Sequence, residues 1–177
     1  MMKKKRLFLG ILSLFFALIS GNSHAAWGTR TEYDVFTDSE KIVMVGQAKN
    51  SSFLVFECIK HRVSASYVES ADFSRIHEGM LADLFVKVDD FPRVRLSALT
   101  SARNQKAYAV RAEDPEDSIK KILHDLRAGK KRFLLGFETE DNLRLTTNGD
   151  LSGSTDAVNK FVKECGIILP SENVKKS

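Results

Sequence analysis

Beyond the first 25 residues, the side chains able to do chemistry are Cys58 and Cys165, His61, His77 and His124, the adjacent carboxylates Asp89-Asp90, and the run Ser152-Gly153-Ser154. The two cysteines are the only ones in the chain. An even pair in an oxidising compartment defaults to a disulfide, and no C-x-x-C spacing poises a redox thiol. A bridge closing a loop of roughly a hundred residues stabilises by about 4–5 kcal/mol in the chain-entropy model, a sizeable part of a small domain's net stability. The competing chemistry is a thiol–imidazole pair of Cys58 with His61, which requires a free Cys58.

The remaining candidates resolve against known geometries. His77-Glu78 is followed by Gly79-Met80-Leu81, so the second ligand of H-E-x-x-H is missing. His124 lies between Leu123 and Asp125 on an expected helix, on its solvated side. A metal site needs three or four converging ligands, and no such spacing occurs; no metal is expected. Asp89-Asp90 precede Pro92 and read as a solvated turn. Neighbours in an extended chain point to opposite sides, whereas glycosidase carboxylates face each other at about 5–10 Å. A D-x-D-x-D-G calcium loop is also absent. Ser154 precedes a helix as a nucleophile would, but the pattern is not G-x-S-x-G. Capping of that helix by Ser154 or Thr155 explains the run. Gly149, Gly153 and Gly166 form no phosphate loop, so no cofactor is expected.

The elements that must position these residues are mostly period-2. Strands are expected over Lys41–Ala48, Phe53–Lys60, Arg62–Val68, Leu81–Val88, Val94–Leu96, Lys106–Arg111, Lys131–Thr139 and Leu143–Thr147. The Lys60-His61 link makes the second and third of these a hairpin. Asp89-Asp90-Phe91-Pro92 and Asp141-Asn142 read as turns. Leu54, Phe56 and Cys58 share one face of their strand; Phe53, Val55, Glu57 and Ile59 share the other. A first helix is capped by Asp114, opens with Pro115 and repeats apolar residues at Ile119, Ile122, Leu123 and Leu126. A second begins near Ser154 and aligns Ala157, Val158, Phe161, Val162 and Cys165 on one face. A Cys58–Cys165 bridge would pin this last helix to a central strand. Phe53, Phe73, Phe85 and Phe91 present either an outward aromatic face for a partner or a second layer packed under a helix.

The chain has 177 residues, 43% hydrophobic and 28% charged, which excludes a disordered chain and a multi-span membrane protein. Residues 1–25 read as an export signal. Lys3, Lys4, Lys5 and Arg6 precede the apolar run Leu7–Ile19, and Ser23-His24-Ala25 ends the segment with small residues at the cut. The run rises only about 20 Å as a helix, short of a hydrocarbon core of about 30 Å. An uncleaved inner-membrane anchor is the alternative. Removing the leader leaves residues 26–177 as one domain with a frayed polar tail from about residue 170. It also takes four of the 27 Lys+Arg and none of the 23 Asp+Glu, so the exported chain is formally neutral. Nucleic-acid binding needs clustered positive charge. Only Lys130-Lys131-Arg132 and Lys175-Lys176 are clustered, so no nucleic-acid partner is expected. The fold class is α+β: a β-rich antiparallel sheet or sandwich with two helices, the C-terminal one tied by the disulfide.

Three segments carry a resemblance: Phe53-Leu54-Val55-Phe56-Glu57-Cys58, Phe85-Val86-Lys87-Val88-Asp89-Asp90, and Leu151-Ser152-Gly153-Ser154 leading to Ala157-Val158, Phe161 and Cys165-Gly166. In this order they resemble exported bacterial proteins encoded beside type VI secretion systems (the VasI/TagO group) and the invasion-associated locus B proteins. The chain departs from that pattern in lacking a tryptophan after the Asp strand and in carrying the helix at Pro115–Ala128. The resemblance implies a β-rich exported accessory protein without a known catalytic set. The expected function is therefore non-enzymatic: a periplasmic accessory or binding protein whose partner is another envelope protein, met through a sheet edge or an aromatic face. After signal cleavage no stable membrane insertion is expected. The alternatives are an inhibitor or immunity protein against an envelope-acting toxin, and a hydrolase or redox enzyme using Cys58 with His61, or Ser154.

Overall fold

The computed structural model describes residues 26–35, 38–70, 76–104, 106–113 and 116–170. The expected leader, the cap at Asp114 with Pro115, Phe73 and the tail beyond Pro170 lie outside them. The strands are β1 (Trp27–Asp34), β2 (Ser39–Gln47), β3 (Ser52–Ile59), β4 (Arg62–Ser70), β5 (Leu81–Val88), β6 (Val94–Asn104), β7 (Ala107–Ala112), β8 (Arg132–Thr139) and β9 (Arg144–Asp150). The helices are α1 (Glu116–Ala128), between β7 and β8, and α2 (Ser154–Cys165), after β9. Among the described residues the strands form one sheet in the order β1-β2-β3-β4-β7-β6-β5-β8-β9, antiparallel throughout. The first four strands are a meander. The next three run back in reverse order, so β4 pairs with β7 and β5 with β8.

The sheet coils until its two ends approach. Lys49 N–H donates to Asn148 O at 2.9 Å, Thr147 Oγ1 to Lys49 O at 3.1 Å, and Trp27 Nε1 to Asp150 O at 2.9 Å. Two glycines permit this approach. A Cβ on Gly149 would lie 2.3 Å from Gln47 O, and one on Gly46 would lie 2.4 Å from the Trp27 indole. Trp27 fills the seam, its ring 5.2 Å from Phe133.

Period-2 alternation puts Leu54, Phe56, Cys58, Val63, Ala65, Tyr67, Leu84, Val86, Leu96, Val110, Leu135 and Phe137 on the inner face. There they form one core with the apolar stripes of both helices, Ile119, Ile122, Leu123 and Leu126 on α1 and Ala157, Val158, Phe161 and Cys165 on α2. Each large apolar side chain buried this way contributes about 1.5–3 kcal/mol before entropy is counted. No helix among the described residues is long and apolar enough to cross a membrane.

Several expectations need correction. The apolar alternation does not predict β1, whose inner side carries Thr29, Thr31 and Tyr33 rather than aliphatic residues. Thr29 Oγ1 donates to Ala157 O at 2.8 Å and Thr31 Oγ1 to Glu164 at 2.8 Å, so hydroxyls bind this strand to α2. The strand expected at Val94–Leu96 runs on to Asn104, because Ala98 and Thr100 continue the buried inner row. Neither Ser154 nor Thr155 caps α2. Gly153 occupies that position in the left-handed region with no side-chain cap bond. The two hydroxyls instead donate to Leu126 O at 2.9 Å and Arg127 O at 3.0 Å, satisfying carbonyls that the end of α1 leaves open. The phenylalanines do not form one face: Phe91 packs on the main core, Phe53 on an outer cluster, and Phe85 lies elsewhere on the outer face. That outer cluster, Val43, Val55, Val68 and Ala109, is made by the strands themselves, since both helices join the inner core.

Candidate functional site

Cys58, Cys165, His61 and Ser154 are held in structural contacts. Cys58 and Cys165 are bonded to each other, with Cα atoms 5.9 Å apart and each residue 1% exposed. The bridge ties β3 to the last residue of α2. His61 sits in the two-residue turn between β3 and β4. Its Nδ1 lies 2.8 Å from Cys165 O, a bond that requires the proton on Nδ1 because a carbonyl only accepts. The helix end is thereby fastened twice to the same hairpin. A Cys58 bonded to Cys165 leaves His61 no thiol to activate. Ser154 is buried and its hydroxyl is committed to Leu126 O, so it does not stand as an exposed nucleophile.

His77 is exposed before β5. His124 is half-buried rather than solvated, because its Nδ1 sits 3.2 Å from the buried carboxylate of Asp125, which also takes Lys121 at 2.5 Å. The histidines stand on three separate elements, and no group of three or more His, Cys, Asp or Glu among the described residues is placed to hold a metal. The Asp89-Asp90 turn is not simply solvated. Asp89 accepts backbone N–H groups of Lys130, Lys131 and Arg132 at 2.7–3.2 Å, which fixes the chain between α1 and β8. Burial works to raise the Asp89 pKa, but these N–H groups outweigh it and hold the carboxyl below its ordinary value.

Two polar clusters were not legible as sites. On the inner face, Tyr67 donates to Glu69, Tyr108 donates to the same carboxylate at 3.2 Å, and Ser52 Oγ lies 3.1 Å from the Tyr67 hydroxyl. Burial first, then the Glu69 carboxylate, pushes the Tyr67 pKa up to about 12, and Tyr108 is raised as well. Both phenols stay neutral donors that stitch the core.

On the outer face, the residues that β4 presents beside Glu57 are Ser64 and Ser66. These small side chains let two arginines lie across the strand. Arg111 from β7 reaches Glu57 on β3 at 2.7 Å, Arg103 from β6 reaches it at 2.8 Å, and Lys41 from β2 stands 3.5 Å away. Ser64 Oγ and Ser66 Oγ are buried without a hydrogen-bond partner. Burial of Glu57 works against its charge, but the Arg103 and Arg111 guanidiniums outweigh it and lower its pKa. A depressed carboxylate contributes stability that is present above its unfolded value, near about 4.3, and is lost as pH falls through the folded value. Glu57→Gln should therefore flatten the acid limb of the stability–pH curve. At neutral pH it should cost about 1–3 kcal/mol, toward the low end because the arginines keep water contact. Chemical denaturation across pH checks both.

A groove of about 610 Å³ on the outer face lies over β5, β8 and β9. Gly136 on β8 lets β9 approach closely along it, since a Cβ there would lie 2.7 Å from Leu145 O. Phe85 from β5 and Leu134 from β8, the latter 40% exposed, form an apolar floor. The Arg93 guanidinium sits 4.7 Å over the Phe85 ring, and Lys87 stands beside it on β5. Neither Lys87 nor Arg93 has a carboxylate partner among the described residues. Glu138 and Arg144, paired at 2.5 Å, close one end, and Asn148 lies toward the other. An apolar floor with unmatched cations can hold a segment that offers an apolar side chain and a carboxylate. Comparison with protein-family models, with curated proteins and with solved structures finds no match to this chain.

Proposed function

We propose that this chain is a non-enzymatic accessory protein of the bacterial envelope that binds another protein through the groove of β5, β8 and β9. The observation that carries the reading is the pairing of an apolar floor, half-buried Phe85 and exposed Leu134, with the cations Lys87 and Arg93, which have no carboxylate partner among the described residues. Apolar contact supplies affinity, and the cations select an acidic segment and steer its approach. The buried disulfide supports an oxidising compartment, in keeping with the export signal read at residues 1–25. The resemblance to the type VI-associated and invasion-associated proteins points the same way.

A photo-crosslinking residue at Leu134, activated in intact cells, tests the reading. A discrete protein adduct is expected. Lys87→Glu combined with Arg93→Glu should reduce it about tenfold or more, whereas Lys163→Glu, exposed on α2 and not among the groove residues, should leave it unchanged. No adduct, or one indifferent to the rim charges, would count against the proposal.

A further inference from the structure

β1 ends the sheet, and among the described residues its only ladder partner is β2. Trp27 pairs with Gly46, and Gln47 N–H donates to Ala26 O at 2.9 Å. Backbone groups of an antiparallel strand alternate between its two sides. Gly28, Arg30 and Glu32 therefore direct their N–H and C=O groups at β2, while Thr29, Thr31 and Tyr33 direct theirs at the open side. Such edges are normally blunted by proline, a bulge or an inward-facing charge. β1 has none of these: its register is continuous and its inner side chains are Trp, Thr, Thr and Tyr, of which Thr29 and Thr31 hold α2 on the inner side, while its charges, Arg30 and Glu32, stand on the outer side. Tyr33 is 61% exposed.

The outer side of the same strand carries alternating charge. Arg30 Nε lies 2.6 Å from Glu32 Oε1, and both side chains are solvent-accessible. A second copy of β1 laid antiparallel along the edge could adopt several registers, and charge discriminates among them. A two-fold axis through Arg30 or Glu32 sets like charges directly opposite, which is destabilising. An axis through Thr31 places Arg30 of each copy opposite Glu32 of the other and Thr29 opposite Tyr33. In that register the open backbone groups of Thr29, Thr31 and Tyr33 also meet as hydrogen-bonded pairs.

We propose that two copies of this chain associate through β1, antiparallel and centred on Thr31, joining their sheets into one. The interface is isologous, with the same surface used by both copies. One strand pair is a small contact, so the association is reversible and depends on concentration. Analytical ultracentrifugation of the purified protein over a concentration series should show a monomer–dimer equilibrium. Arg30→Glu alone and Glu32→Arg alone each place like charges across the axis and should weaken it about tenfold or more. The double reversal R30E/E32R should restore it. Because these side chains face solvent, circular dichroism should show the fold unchanged in all three variants. Amide exchange gives a second readout: Thr29, Thr31 and Tyr33 should slow as concentration rises. A protein that is monomeric at every concentration would overturn the proposal and leave the edge to a strand from a different protein. A dimer indifferent to the single reversals, or a double variant as weak as the singles, would overturn the register and with it the claim.

Discussion

Replacing Cys58 and Cys165 together by serine should lower the unfolding free energy by about 4–5 kcal/mol. The bond spans a sequence separation of 107, so its loss returns a large closed loop to the unfolded ensemble. It also frees α2, whose Phe161 and Val158 are fully buried against the sheet. His61 would then be the remaining tie between the β3–β4 turn and the helix end. Guanidinium titration of the double variant against the parent measures the loss, and a change under about 1 kcal/mol would contradict the account. In the native parent, thiol reagents should find no free sulfhydryl, because both cysteines are bonded and buried. Exposure to reductant without denaturant should act slowly for the same reason.

Trp27→Ala should cost about 3–5 kcal/mol, the usual range for emptying a buried aromatic site. Trp27 is 4% exposed, lies over Gly46 and packs edge-on against Phe133. Its indole N–H also reaches Asp150 O, so truncation removes packing against β2 and β8 and a bond to β9 across the seam. Trp27→Phe separates the contributions: it keeps much of the packing and should lose only about 1 kcal/mol with the hydrogen bond. Because Trp27 is the only tryptophan in the chain, its fluorescence reports on the seam directly. Native emission should be blue-shifted and should move to the red in step with loss of secondary structure. A red-shifted native emission would show the seam to be open.

Local regularities of this fold could be read from residues; joins between distant segments could not. The Lys60-His61 link is short enough to demand a tight turn, and both residues adopt positive φ, 50° and 66°, as a two-residue hairpin turn requires. The spacing Ala157, Val158, Phe161, Cys165 names the buried face of α2, and Leu81–Val88 alternates over the full length of β5. The pairing of β4 with β7 and β5 with β8 leaves no local trace, and the Glu57 cluster depends on it. Its arginines come from β6 and β7, and they reach across β4 only because Ser64 and Ser66 are small. β1 escaped notice because its inner side is held by threonine hydroxyls rather than aliphatic packing. Ser154 and Thr155 suggested a cap because the carbonyls they satisfy belong to the other helix. The groove joins residues of β5, β8 and β9, and periodicity within one strand does not register such a join.

The order of the strands also bears on when the sulfurs can meet. A ribosome delivers β3 early, but the helix bearing Cys165 follows all the strands of the described residues. Until β7 arrives, the far edge of β4 has no neighbour, and until the final helix is made, the Cys58 thiol has no mate. Closing this bond therefore requires the whole order of elements: a chain that stops short of α2 leaves the Cys58 thiol without its partner, whereas the complete fold leaves neither sulfur free.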